Sequence, residues 1–118
     1  FETYVAKVDI VKSAAIIRGK IAVSPSEEKY NDMPIIAAQA ADELLSISGI
    51  LASFVLCKVD DVVMISGRSM GDINVQAIME TIGGGGHLTF AGAQIAGVSI
   101  EEAKQKLLHS IDEYFGND

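Results

Sequence analysis

Two short apolar runs, Leu51 to Cys57 and Val62 to Ser66, are separated only by a polar turn around Asp60-Asp61. Short runs that are rich in β-branched residues and bounded by turn residues are typical of strands. Neither run alternates with polar residues, so both faces of each strand must be covered by other elements. The sequence therefore predicts a hairpin of central strands, covered on both faces.

Three further strands are predicted. From Tyr4 to Ile10 apolar and other residues alternate with a period of two, which indicates a strand with one buried face. The segment Ala15 to Val23 is β-prone, with Gly19 as a bend or bulge. The stretch Phe90 to Val98 is small and apolar, as expected of a last strand.

Three helices are also predicted, two between these strands and one after the last of them. Asp32 caps one over about Met33 to Ser48, which ends at Gly49, and Asn74 caps a short one that stops at Gly83. The last helix follows a capping box formed by Ser99 and Glu102. We therefore expect an α/β (α+β) fold, in which a mixed sheet of about five strands is flanked by about three helices.

The composition fits one domain with an ordinary core. The chain has 118 residues, of which 49% are hydrophobic, and Cys57 is its one cysteine, which we expect to be buried. The formal net charge of -7 argues against a protein that tracks long nucleic acid, because tracking needs clustered Lys and Arg. It leaves room for a small anionic ligand held by a few groups.

A run of four glycines, Gly83-Gly84-Gly85-Gly86, followed by His87, lies between a helix end and a strand. Glycines lose more conformational entropy on folding than any other residue, so a fold keeps four only where the backbone requires them. One interpretation is an anion-binding concavity of backbone N–H groups with His87 as a further donor. The other is a helix C-cap that continues into a flexible connector.

Arg68 stands at the end of the second apolar run, where ligands often contact a sheet. Its planar guanidinium suits a phosphate, or it pairs with a carboxylate such as Asp72. Ser66, Ser69 and Asn74 are polar neighbours that suit a phosphate or ribose but are equally explained by turn and capping chemistry. No nucleophile–base pair and no metal-ligand spacing is recognisable, so we expect no catalytic residues and no metal or other cofactor within this chain.

The order of three motifs resembles the DHHA1 domain, which follows the DHH domain in a phosphoesterase superfamily. The motifs are Ile65-Ser66-Gly67-Arg68-Ser69, Asp72-Ile73-Asn74-Val75 and Gly83 to His87. Leu88-Thr89, Ala91, Gln94 and the helix segment Ile36 to Asp42 look most like the cyclic di-AMP phosphodiesterase branch. Phe90 departs from this pattern, because that branch tends to have Asn there and the wider superfamily tends to have Ala.

The resemblance implies that residues 1–118 are a single substrate-binding domain of a longer chain. A DHH domain that holds Mn²⁺ would precede Phe1, and the whole protein would hydrolyse cyclic di-AMP to pApA. The substrate-binding residues implied are Ser66, Arg68, Ser69, Asn74, Gly84, Gly85, Gly86 and His87. The partners implied are the cyclic dinucleotide, the DHH domain and, as a further candidate, a second copy of the chain; long nucleic acid is not among them.

The resemblance also implies a cytoplasmic domain of a protein that is anchored in the bacterial cell membrane. Two alternatives stay open. One is a short-oligonucleotide nuclease of the same superfamily, of the nanoRNase or RecJ type. The other is a non-catalytic nucleic-acid-binding module, like the related C-terminal domain of alanyl-tRNA synthetases.

Overall fold

The computed structural model describes residues 1–116, and over these it contains four helices and six strands. The strands form one mixed sheet in the order β1-β2-β3-β4-β6-β5. The elements, in chain order, are α1 (Glu2–Lys12), β1 (Ala15–Ile17), β2 (Ile21–Pro25), α2 (Met33–Leu45), β3 (Ala52–Val59), β4 (Val62–Ser69), α3 (Val75–Glu80), β5 (Gly85–Gly86), β6 (Phe90–Ala96) and α4 (Ile100–Phe115). The predicted mixed α/β class is confirmed.

The β3–β4 hairpin is the centre of the molecule, as predicted. Its strands pair antiparallel from Ala52↔Ser69 to Val59↔Val62. One face packs against α3 and α4 in a core that includes Phe54, and the other packs against α1 and α2 in a second core. Cys57 is fully buried in the second core, and this burial raises the pKa of its thiol.

The strand prediction for Tyr4 to Ile10 is wrong, because this segment is helix α1. Its buried residues are Ala6 and Ile10, four positions apart as on one helix face, whereas Tyr4 and Val8 are exposed. Helix α1 packs against α2 and lies outside the sheet. The same apolar pattern is therefore compatible with a strand and with a helix, and packing against α2 selects the helix.

The strand count also differs from the prediction of about five. Arg18 and Gly19 both have positive φ and split the segment Ala15 to Val23 into the antiparallel strands β1 and β2. The glycine run supplies the other unpredicted strand, β5, which pairs with β6 at one edge of the sheet. This pairing replaces the flexible connector considered above.

The capping predictions have mixed outcomes. The Asn74 side chain accepts a hydrogen bond from the Ala77 N–H at 3.1 Å, and Ser99 and Glu102 form the predicted capping box. Asp32 precedes α2, but it is in the left-handed conformation and its side chain makes no capping hydrogen bond. Helix α2 ends at Leu45, three residues before the predicted Ser48.

Candidate functional site

The alternation of side chains along β4 and β6 sorts the predicted site residues onto two faces of the sheet. Val63 and Ile65 belong to the core against α3 and α4, so Met64, Ser66 and Arg68 lie on the opposite face, which α2 partly covers. In β6 the same face carries three residues, each paired with one of β4: Phe90 with Arg68, Gly92 with Ser66, and Gln94 with Met64. We call this surface the open face.

Arg68 is anchored on the open face by two hydrogen bonds. Its Nε donates to Asp42 Oδ1 of α2 at 3.0 Å, and its Nη1 donates to the Gly67 carbonyl at 2.8 Å. The carboxylate partner is therefore Asp42 and not Asp72, the example that the local sequence suggested. The arginine side chain is mostly buried, at 21% exposure, while Asp42 is exposed at 65%. The guanidinium keeps further N–H donors in a fixed position beside the sheet.

The glycine run is packed tightly against β6. A Cβ atom on Gly84 would lie 2.2 Å from the Gly92 carbonyl oxygen, and one on Gly86 would lie 2.6 Å from the Ala91 Cα. Both positions therefore require glycine for the fold itself. The Gly84 N–H already donates to the Met79 carbonyl at 2.8 Å, so it serves the turn after α3.

Gly85 differs from its neighbours. A Cβ atom there would meet no atom within 4 Å, and its φ is not in the left-handed region. It pairs with Gly92, so it lies beside the open face. Nothing in the described residues requires glycine at this position. A glycine here would, however, let an external group approach the backbone closely.

His87 and Phe90 close the tip of the β5–β6 hairpin. The His87 N–H donates to the Phe90 carbonyl at 2.7 Å, and the two ring centroids are 4.4 Å apart with an angle of 34° between the planes. The His87 residue is exposed. Its imidazole is thus held by an aromatic contact next to the open face and is accessible to a ligand.

Ser69 and Asn74 do not join this group. The Ser69 hydroxyl donates to the Leu88 carbonyl at 3.2 Å and accepts from the Gly71 N–H at 3.2 Å. The Asn74 side chain caps α3, and its backbone N–H donates to the Tyr114 hydroxyl at 2.9 Å. Through these contacts both residues have a structural role, since they position the hairpin tip and α3.

A shallow groove of about 480 Å³ runs along the open face. It is lined by Pro34, Ser66, Gly84, Gly85, Gly92 and Gln94, among others. Sequence reasoning did not identify Asp42, Gly92 or Gln94 as neighbours of the site. The period of two in β6, combined with its register against β4, is the signal that would have placed the last two.

No three His, Cys, Asp or Glu side chains within residues 1–116 are grouped so that they could hold a metal ion. The polar groups that meet on the open face are one guanidinium, one hydroxyl, the side-chain amide of Gln94, an imidazole at its edge and a glycine backbone. This set can bind an anion and orient it.

With this geometry, comparison with known proteins identifies the family. The family model described as the DHHA1 domain matches residues 18–117. The chain therefore belongs to the DHHA1 domain family, as its motifs predicted.

Two curated relatives are similar over almost the whole chain. The "Cyclic-di-AMP phosphodiesterase GdpP" of Geobacillus thermodenitrificans is 47% identical over 113 residues, covering 95% of this chain and 17% of the relative. The protein of the same name from Bacillus subtilis is 44% identical over 118 residues, covering 97% of this chain and 18% of the relative. The chain thus spans less than a fifth of the length of these proteins.

Among solved structures, an exopolyphosphatase-related protein from Bacteroides fragilis superposes with a TM-score of 0.83 at 19% identity. The match covers 95% of this chain and 34% of that one. At this identity the comparison establishes the shared fold.

Proposed function

We propose that this chain is the substrate-binding domain of a cyclic di-AMP phosphodiesterase and forms one wall of its active site. Its similarity to the two GdpP proteins over nearly the whole chain supports this function. The observation that carries the binding role is the convergence of Arg68, Ser66 and the Gly85 backbone on the open face. Arg68 would hold a phosphate through its remaining N–H donors, and Gly85 would let the phosphate approach the backbone closely.

Ser66 and His87 complete the proposed contacts with the substrate. The Ser66 hydroxyl would bind a phosphate or ribose oxygen, and His87 would add a hydrogen bond from the edge of the face. Ser69, Asn74 and Gly84 would support the site without contacting the substrate, because their hydrogen bonds hold the hairpin tip, α3 and the turn after α3. In this division the chain binds and orients the dinucleotide.

The described residues do not fit the Mn²⁺ that such an enzyme is expected to use, because they contain no suitable ligand cluster. We assign Mn²⁺ to a separate DHH domain of the intact protein, together with the hydrolysis of one phosphodiester bond that yields pApA. The partners proposed for this chain are that domain, the cyclic dinucleotide and, as a further candidate, a second copy.

The location proposed for this domain is the cytoplasm, with the intact protein anchored in the membrane. None of the helices within residues 1–116 is long and apolar enough to cross a bilayer. The anchor would therefore belong to another part of the intact protein.

The competing activity is hydrolysis of short linear oligonucleotides. The net charge of -7 and the groove of about 480 Å³ favour a small ligand over a nucleic acid chain. We expect the intact enzyme to have a higher kcat/KM for cyclic di-AMP than for a linear oligoadenylate, with pApA as product. A higher kcat/KM for the oligonucleotide would identify the nuclease instead.

The division of labour has its own test. The isolated chain, supplied with Mn²⁺ and cyclic di-AMP, should not produce pApA. Production of pApA by the isolated chain would show that this domain carries catalytic residues of its own.

A further inference from the structure

The open face carries an aromatic side chain that the proposed phosphate contacts do not use. Phe90 begins β6 opposite Arg68, and its side chain remains 50% exposed. Its neighbour Ala91 points to the other face and is buried in the core against α3 and α4. Phe90 therefore contributes little to that core, although it is the largest apolar residue of the strand.

The ring of Phe90 is held in place on the surface. Its contact with the His87 imidazole, at 4.4 Å between centroids, restricts its motion without covering it. An apolar ring that is ordered and still exposed gains free energy when a ligand removes it from water. Because its freedom is already reduced, less conformational entropy is lost on binding.

Two glycines lie next to Phe90 on the same side of the sheet, Gly92 and Gly85. Gly92 lies two positions along the strand on the same face, about 7 Å away at the rise of an extended chain. Gly85 is paired with Gly92 and has open space where its Cβ would be. A planar group can therefore lie next to the Phe90 ring without meeting a side chain from these two positions.

We propose that Phe90 stacks on a purine base of the substrate and selects purine over pyrimidine dinucleotides. This inference rests on the proposed function, which puts a dinucleotide phosphate at Arg68. Phe90 is the strand partner of Arg68, so a phosphate held by the guanidinium brings the attached nucleoside to the phenyl ring. Aromatic stacking is available to every base but is stronger for the larger purine ring system.

The test compares the intact enzyme on cyclic di-AMP and on cyclic di-UMP, with Phe90 replaced by Ala, Leu or Tyr. Phe90→Ala should raise the KM for cyclic di-AMP on the order of tenfold, within the range that base–aromatic stacking supplies. The KM for cyclic di-UMP should change less, so the preference for the purine substrate falls. Phe90→Tyr should retain the preference for the purine substrate. Phe90→Leu should lose this preference, although it keeps an apolar side chain.

Ile16→Ala is the matched control, since Ile16 is 51% exposed in β1 at the other edge of the sheet. Its kinetics should equal those of the wild type.

An unchanged KM and unchanged purine preference in Phe90→Ala and Phe90→Leu would overturn the inference. An equal loss of kcat on both substrates would also overturn it, because Phe90 would then act only by positioning His87. Failure of the wild-type enzyme to hydrolyse either substrate would instead reject the proposed function.

Discussion

Arg68 of β4 and Asp42 of α2 form an ion pair across the boundary of the open face, with Nε 3.0 Å from Oδ1. The pair is half exposed, because Asp42 is largely in solvent, and exposed pairs of this kind contribute about 0–1 kcal/mol to stability. Its main effect is geometric. It fixes the direction of the guanidinium while leaving other N–H donors for a ligand.

We expect Arg68→Lys to lower kcat/KM for cyclic di-AMP in the intact enzyme by about tenfold or more. A lysine cannot reproduce the planar fork, and one hydrogen bond to a charged group is worth about 1.5–3 kcal/mol. Steady-state kinetics measure the loss, and the melting temperature should stay close to that of the wild type. Wild-type kinetics in this variant would show that Arg68 does not bind the substrate and is only a surface residue paired with Asp42.

Asp42 is predicted to be a positioning residue. Asp42→Ala should lower kcat/KM by about two- to tenfold, the equivalent of one ordinary hydrogen bond. Asp42→Asn keeps the Oδ1 acceptor and should restore most of the activity, which a purely electrostatic role would not allow. Wild-type kinetics in Asp42→Ala would show that the anchor has no effect on Arg68, and an equal loss in the Ala and Asn variants would show that only the charge of Asp42 matters.

Gly84→Ala and Gly85→Ala form a matched pair at adjacent positions. Gly84→Ala should destabilise the domain by about 1–3 kcal/mol, the usual cost of overpacking, because its Cβ would collide with the β6 backbone. Gly85→Ala should leave the free energy of unfolding nearly unchanged and should weaken binding of cyclic di-AMP. Thermal unfolding and calorimetric titration separate the two effects. Unchanged affinity in Gly85→Ala would exclude close approach of the ligand at this backbone.

His87→Ala should reduce the catalytic efficiency of the intact enzyme while the domain stays folded. The side chain is exposed, and such substitutions usually change stability by no more than about 0.5 kcal/mol. The other histidine provides the control: His109 lies exposed on α4, with Nε2 2.9 Å from Glu113, and His109→Ala should have wild-type kcat/KM. A large drop in the melting temperature of His87→Ala would make His87 a structural residue.

The capping box of α4 should make stability depend on pH. Hydrogen bonds from the Ser99 backbone and side chain, which are the largest causes, lower the pKa of Glu102 below its ordinary value of 4.5. The folded state therefore favours the carboxylate, and this stabilisation is complete above the ordinary pKa and is lost as the pH falls through the lowered one. Glu102→Ala should lower the melting temperature at neutral pH. The difference from the wild type should shrink in acid, and a difference independent of pH would contradict the assignment.

The central hairpin, α2, α3 and α4 could be predicted because several local signals agree at each of them. The run from Leu51 to Ser66 has the length, branching and turn of a hairpin, and Ser99 and Glu102 mark the start of α4. Helix α1 could not be predicted, because its burial pattern is set by contact with α2, and the same residues satisfy a strand period.

The candidate site was predictable in composition but not in arrangement. The sequence singles out Arg68 and the glycine run, and both lie on or beside the open face. It does not reveal that Asp42 is the partner of Arg68, 26 residues away in the chain, since that contact depends on how α2 crosses the sheet. The tight packing of Gly84 against β6 is likewise a property of the register.

The sheet ends on both sides in very short strands, with three residues in β1 and two in β5. An exposed edge recruits strands of other molecules through its free backbone groups, and short edge strands limit this recruitment. The longer strands β3 and β4 lie inside the sheet, where both of their edges are occupied. The two longest strands are therefore kept from pairing with strands of other molecules, while the open face stays available to a ligand.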